Sequence, residues 1–289
     1  MNEKFTQTVT FKGIEFLTPA YKSKIYAATK IYSWLEDITE AWKYSSFPLD
    51  IPLYKFSYQH IENAAMMARD VLGVKSSILF DLPTLLETAG LRMVVLSLPK
   101  EITSFSFFEQ NFKSIFFFIN KNNSFERNCF TLAHELAHII FHQGGMKYNL
   151  YRPGLSEEQR EKAASYFASC FLMPENMIKN ILGQLGIKSD NLTYELLLRL
   201  KTRFGVSAET FIYRLSELKL IRNKRQEEFL KEVRKFYKKT NFKEPPPSRI
   251  GNYSNDRIWD LVLVAEQNKK FAKEVAKVKK ELIALGIKS

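Results

Sequence analysis

The residues His134-Glu135-Leu136-Ala137-His138 carry the most evident chemistry in this chain. They read H-E-x-x-H, and they lie in a run where Phe130, Leu132, Leu136, Ala137, Ile139, Ile140 and Phe141 call for a buried helix. On a helix, residues four apart share a face, so the two imidazoles can grip one metal ion. Glu135, one residue round, then sits where it can take a proton from water beside that ion. Two histidines and a glutamate in so apolar an element are costly unless something compensates them. A core helix with hydrogen-bonded histidines is the bland alternative, and it accounts for less of the pattern.

Two histidines leave a zinc site incomplete. The longer motif with a glycine three residues on and a third His three beyond is not met, because Phe141 and Gly144 stand there. His142 shares the helix face but lies roughly 12 Å along the axis from His134. That is too far to share an ion, so a supporting or surface role is expected for it. The better candidate is in Ser156 to Pro174, where a helical wheel puts Glu157, Glu161, Ala164, Ala168, Phe171 and Leu172 on one stripe. Glu157 and Glu158 read as solvated first-turn acids, favoured by the helix dipole. Glu161 sits a turn deeper among small and apolar residues and is the expected third ligand. Ala164 and Ala168 allow close approach of another backbone, and Pro174 ends the helix. Two imidazoles and a carboxylate suit Zn2+, and Mn2+ as well.

With these residues in place, the chain resembles the ImmA/IrrE family of bacterial metallopeptidases. That family carries a T-L-A-H-E-L-x-H block, then E-x-x-A-(N or D)-x-F-A some twenty residues later, then L-M-P. The counterparts here are Thr131 to His138, Glu161 to Ala168, and Leu172-Met173-Pro174. The resemblance implies His134, His138 and Glu161 as metal ligands and Glu135 as the catalytic residue. Ser165 stands where the family usually has Asn or Asp, and Ala137 where Gly is common. Neither change removes a ligand or the base, but Ser165 weakens the expected support behind the ligands. The strong match covers about 55 to 180. The first fifty residues resemble, more weakly, the segment that precedes this domain in longer regulators.

The rest of the composition fits an intracellular globular enzyme. The chain has 289 residues, is 45% hydrophobic and contains two cysteines, Cys129 and Cys170, which argues against a disulfide framework. Both cysteines read as buried small hydrophobes; a thiolate switch on the metal is the lesser option. The N-terminus lacks an apolar signal-peptide core, and no stretch approaches a membrane span, so a cytoplasmic protein without membrane contact is expected.

Four regions are expected. Residues 1–54 form an N-terminal extension, with an extended piece from Thr8 to Gly13 and an amphipathic helix from Tyr21 to Trp42. Residues 55–180 form a zincin-like metallopeptidase domain of α+β class, a small twisted sheet packed on the H-E-x-x-H helix. It opens with a helix over about 57–72, where His60 is a surface residue. A short helix follows at 82–89, capped by Asp81 and stopped by Gly90. Strands are expected at Leu91–Leu98, Thr103–Phe108 and Ser114–Asn120. If the last is an edge, it can pair with an extended substrate beside the metal; if it is internal, it is core. Residues 181–222 read as two helices joined at Phe204-Gly205-Val206-Ser207, a structural hairpin rather than a helix-turn-helix, since no basic recognition helix is evident. Residues 223–289 form a basic helical region. From 222 on there are 18 Lys and Arg against 9 acids, so this end carries +9 of the net +12. Pro245, Pro246 and Pro247 split it, and a helix is expected from Trp259 to Leu285. Its apolar residues suggest a brace on the rest of the chain, its lysines a solvated or nucleic-acid-binding face.

Two functions follow. The first is a zinc endopeptidase; the resemblance implies that its substrate is a helix-turn-helix repressor, cut to relieve repression under stress or mobile-element induction. The alternative is a non-proteolytic metal-binding regulator or partner-docking protein, with weak DNA binding through the basic C-terminal region. Tyr148, Tyr151 and Tyr166 are the candidates for stabilising an oxyanion.

Overall fold

The computed structural model describes residues 17–42, 47–79, 81–109, 114–148, 154–188, 191–241, 243–246 and 253–288, without the side chains of 108 and 142–148. The extended piece expected at Thr8 to Gly13 lies outside them. In chain order the elements are α1 (Pro19–Ile38), α2 (Tyr58–Val71), α3 (Leu82–Thr88), β1 (Arg92–Leu96), β2 (Ser104–Glu109) and β3 (Ser114–Asn120). Helices α4 (Phe125–Tyr148), α5 (Glu157–Leu172), α6 (Glu175–Gln184), α7 (Tyr194–Phe204), α8 (Ala208–Glu217), α9 (Asn223–Thr240), α10 (Asp256–Glu266) and α11 (Ala272–Leu285) follow. This is an α+β fold with a small sheet beside a long H-E-x-x-H helix.

Side chains set many of the helix starts. Ser57, Asp81, Ser156, Thr193 and Ser207 each accept a hydrogen bond from the backbone N–H three residues on. At α5 the cap is reciprocal, since Gln159 Oε1 also accepts from the Ser156 N–H at 3.0 Å. Between α7 and α8, Gly205 is left-handed at φ +65°, and a Cβ there would lie 3.1 Å from the Phe125 ring. Glycine therefore serves both the turn and its close seating on the start of α4.

The sheet order is β1-β3-β2, with β1 parallel and β2 antiparallel to β3. The edge option for β3 is thereby corrected: β3 is central. Its run Ile115 to Ile119 is buried throughout, as expected where helices cover both faces. Met93, Val95, Ile115, Phe117 and Ile119 face one core, shared with α2 to α9. Val94, Leu96, Phe105, Phe107, Phe116 and Phe118 face a second core, built with α1, α10 and α11.

The two ends of the chain thus meet on the back of the sheet. A buried ion cluster joins them: Glu36 of α1 accepts from Arg92 Nε of β1 at 2.9 Å and from Arg257 of α10 at 3.0 Å. Of the apolar residues expected to brace, Leu261 and Val262 are buried and Trp259 and Phe271 pack against the core, whereas Leu263 and Val264 are exposed. The single helix expected from Trp259 to Leu285 is broken instead. Asn268 caps a 3-10 turn at Lys269–Phe271, and α11 starts anew, which lets both helices bury a face on the same core.

Candidate metal centre and cleft

Helix α4 begins after Ser124, whose hydroxyl accepts from the Arg127 N–H at 3.2 Å. It carries His134, Glu135 and His138. Helix α5 lies against it, with Ala164 and Ala168 wholly buried, so that Glu161 reaches both histidines. His134 Nε2 and His138 Nε2 are 3.2 Å apart. Glu161 Oε2 lies 3.5 Å from the first, and Oε1 lies 3.3 Å from the second. Zinc bonds of about 2.0–2.1 Å in a tetrahedron set ligand atoms about 3.3–3.4 Å apart. The three donors are therefore spaced as the ligands of one small ion, and their types fit it. Among the described residues this is the one cluster of three or more potential ligands. Glu157 and Glu158 are outside it, His60 is exposed, and the side chain of His142 is not among those described.

Electrostatics follow from this packing. Hydrogen bonds from His134 and His138 hold the Glu161 carboxyl well below the usual range. Burial lowers the pKa of His138, keeping its ring neutral as a ligand must be. Burial also pushes Glu135 up to about 8, opposed by a hydrogen bond from Ser106. Ser106 Oγ donates to Glu135 Oε2 at 3.0 Å, and its backbone N–H donates too. Behind His134, Ser165 Oγ lies 3.3 Å from Nδ1. With Nε2 on a metal, Nδ1 would carry the proton and donate to Ser165 Oγ, which would orient the ring.

These groups sit at the base of a cleft of about 630 Å³. One wall is Glu101, Thr103 and Ser104, leading into β2; the floor includes Arg127, Phe130 and Thr131 of α4. The opposite wall comes from beyond the two metal-bearing helices: Ser207, Glu209 and Thr210 at the start of α8, Tyr237 of α9, and Glu244. Glu244 pins that wall. It accepts from Lys201 Nζ at 3.3 Å, the Ala208 N–H at 3.1 Å and Tyr237 Oη at 2.5 Å. Lys201 is fully buried and also pairs with Glu126 at 3.5 Å. The α7–α8 hairpin is thus built into the cleft, and its second helix, which a DNA reader would present, has its N-terminus turned to the metal site.

Sequence reasoning missed Ser106, Arg127, Tyr237 and Glu244. The alternation Ser104-Phe105-Ser106-Phe107 held a signal for the first, since two polar residues on one face of a buried strand need partners. Tyr166 is not a lining residue; its ring packs on Tyr58 and under Arg214. Tyr151 and the side chain of Tyr148 lie outside the described residues. Cys129 and Cys170 are buried, and burial raises their thiols to about 12 and about 11, the opposite of a reactive thiolate.

A small sheet, a helix bearing H-E-x-x-H and a second helix supplying a carboxylate define a zincin-like domain. Residues 86–216, just under half of the chain, match the peptidase family described as the IrrE N-terminal-like domain, in agreement with the ImmA/IrrE resemblance. That match runs through α8. No curated protein matches the chain. A solved structure titled Mycobacterium tuberculosis transcriptional regulator is similar at 20% identity and a TM-score of 0.39, over 64% of this chain and 51% of that one. The present chain thus spans about half of that protein. No helix among the described residues is long and apolar enough to cross a membrane.

Proposed function

We propose that this chain is a zinc-dependent endopeptidase whose substrate is a helix-turn-helix repressor, cut in the cytoplasm to relieve repression under stress or mobile-element induction. The observation that carries the reading is the juxtaposition of three ligand atoms within 4.8 Å with a fourth, buried carboxylate at the base of an open cleft. The repressor as target rests on the family resemblance.

His134, His138 and Glu161 would hold the zinc, which would supply Lewis acidity toward water and a peptide carbonyl. The chain's own residues do the rest. Glu135 takes the proton of the attacking water and returns it to the leaving amine. Ser106 holds that carboxylate in place through two donors. Ser165 orients His134. The outer side of β2, which pairs with no further strand among the described residues, receives the substrate backbone beside Ser104.

The test is Glu135→Gln in the full chain. On the proteolytic reading the variant keeps its metal and loses cleavage of the repressor substrate. An effect on repression that survives the change favours the non-proteolytic alternative. The lysine-rich outer faces of the C-terminal helices are proposed as a weak nucleic-acid contact. A gel-shift titration tests this: a shift at low salt that fades at moderate salt supports it, and no shift at either removes it.

A further inference from the structure

Among the described residues both outer strands of the sheet are edges, but they are finished differently. On β1, the Val95 N–H donates to Asn255 Oδ1 at 2.7 Å, Asn255 Nδ2 donates to the Val95 carbonyl at 3.2 Å, and the Met93 N–H donates to Glu87. That edge is plugged by side chains. On β2 the phase of the ladder is set by the bond from the Asn120 N–H to the Thr103 carbonyl, with Ser104 opposite Ile119 and Ser106 opposite Phe117. Backbone groups of Ser104 and Ser106 therefore point away from β3. Ser106 is engaged with Glu135. Ser104 lines the cleft and is 6% exposed, and its buried hydroxyl has no hydrogen-bond partner among the described residues. An orphan hydroxyl costs free energy unless something arrives to bond it.

The charges of the cleft point to what arrives. Glu126 and Glu244 are answered by Lys201, and Glu209 by Arg234 at 3.0 Å. Glu135 and Glu161 belong to the metal centre. Glu101 is exposed, where water screens it. Arg127 is the cation among the lining residues. It is exposed and has no carboxylate partner among the described residues, and Thr103 Oγ1 accepts from its Nη2 at 2.9 Å, which orients the head group and leaves other N–H donors available. Seven residues before His134, it stands about 10 Å along the α4 axis, about three residues of extended chain.

We propose that Arg127 selects a substrate carboxylate, a Glu or Asp side chain or a free C-terminus, about three residues from the bond cut, while Ser104 fixes the adjoining backbone on the β2 edge. The inference rests on the peptidase reading above. It names the side chemistry that the cleft accepts: an anionic group on one flank of the scissile bond, with the ordered guanidinium as its partner.

The experiment measures binding rather than turnover. Peptides of two to four residues, tipped at the N-terminus with a hydroxamate to anchor on the metal, are titrated into the zinc-loaded full-length protein. Each length is made with a free C-terminal carboxylate, as the amide, and as the amide with an internal Glu. At one length an acid ligand should bind at least tenfold tighter than its plain amide, and which acid form gains tells terminus from side chain. Arg127→Ala, a change at an exposed position, should erase that difference while leaving metal content unchanged. Ser104→Ala should weaken acid and amide ligands alike. Equal affinities at every length, an acid preference that survives Arg127→Ala, or no acid ligand binding would overturn the proposal. Loss of the peptidase reading shows separately, as absence of Glu135-dependent hydrolysis in the unaltered protein.

Discussion

Ser165 offers the sharpest quantitative handle on the metal centre. It is a neutral residue and faces His134 Nδ1 at 3.3 Å, the long end for a hydroxyl contact. Removing one neutral hydrogen bond costs about 0.5–1.5 kcal/mol, which is about a two- to twelvefold loss of zinc affinity for Ser165→Ala. This lies at the low end of the about 10–100-fold effects seen for partners behind metal ligands. Ser165→Asp extends the side chain by one bond toward the ring and makes the contact charge-assisted, roughly twice as strong. Its affinity should exceed that of the unaltered protein. Competition against a chromophoric chelator at fixed pH reads all three, and metal-free melting curves check that folding is intact. Equal affinity of the Ala variant and the unaltered protein, or an Asp variant weaker than Ala, would refute the idea that Ser165 positions His134.

Other expectations follow from burial and charge. Glu36→Ala strands Arg92 in the core beside α1 and should lower stability by about 3–5 kcal/mol, read as the urea midpoint; a loss below about 1 kcal/mol contradicts a structural role for the cluster. Burial raises Glu87 from its ordinary 4.5 to about 8. The folded state then holds a proton that the unfolded chain releases, so its contribution is full below pH 4.5 and is lost as pH rises through 8. Glu87→Gln should therefore stabilise the protein at pH 8.5 and do little at pH 4.5, and urea midpoints across that range check the sign. His142→Ala should leave metal stoichiometry intact, because the helix rise separates it from His134; metal loss as complete as in His138→Ala would sink that geometry.

The centre itself was legible because its chemistry is local. H-E-x-x-H places His134, Glu135 and His138 together on one helix, and Glu161, on the same stripe of α5 as Glu157, is set apart from it by lying one turn deeper. The strands were also readable, since Arg92–Leu96 and Ser114–Asn120 are short apolar runs. What escaped depends on residues far apart in sequence. Nothing near β3 says that β2, rather than β3, forms the open edge, because pairing order is set by long-range contacts. The partnership of Ser106 with Glu135 crosses 29 positions, and that of Lys201 with Glu244 crosses 43. The basic C-terminal stretch read as a brace through its apolar minority, and that minority, with Val262 and Val275 fully buried, does decide where it lies, but which surface it braces was not readable because the contacts to α1 and the sheet are remote in sequence.

The central claim is that α4 and α5 together build one metal site from His134, His138 and Glu161. Elemental analysis of the purified full-length protein tests it most directly. The account predicts about one divalent ion per chain, lost in Glu161→Ala and kept in Glu157→Ala, Glu158→Ala and Glu135→Gln. Full metal content in Glu161→Ala, or its loss in Glu158→Ala, would contradict it.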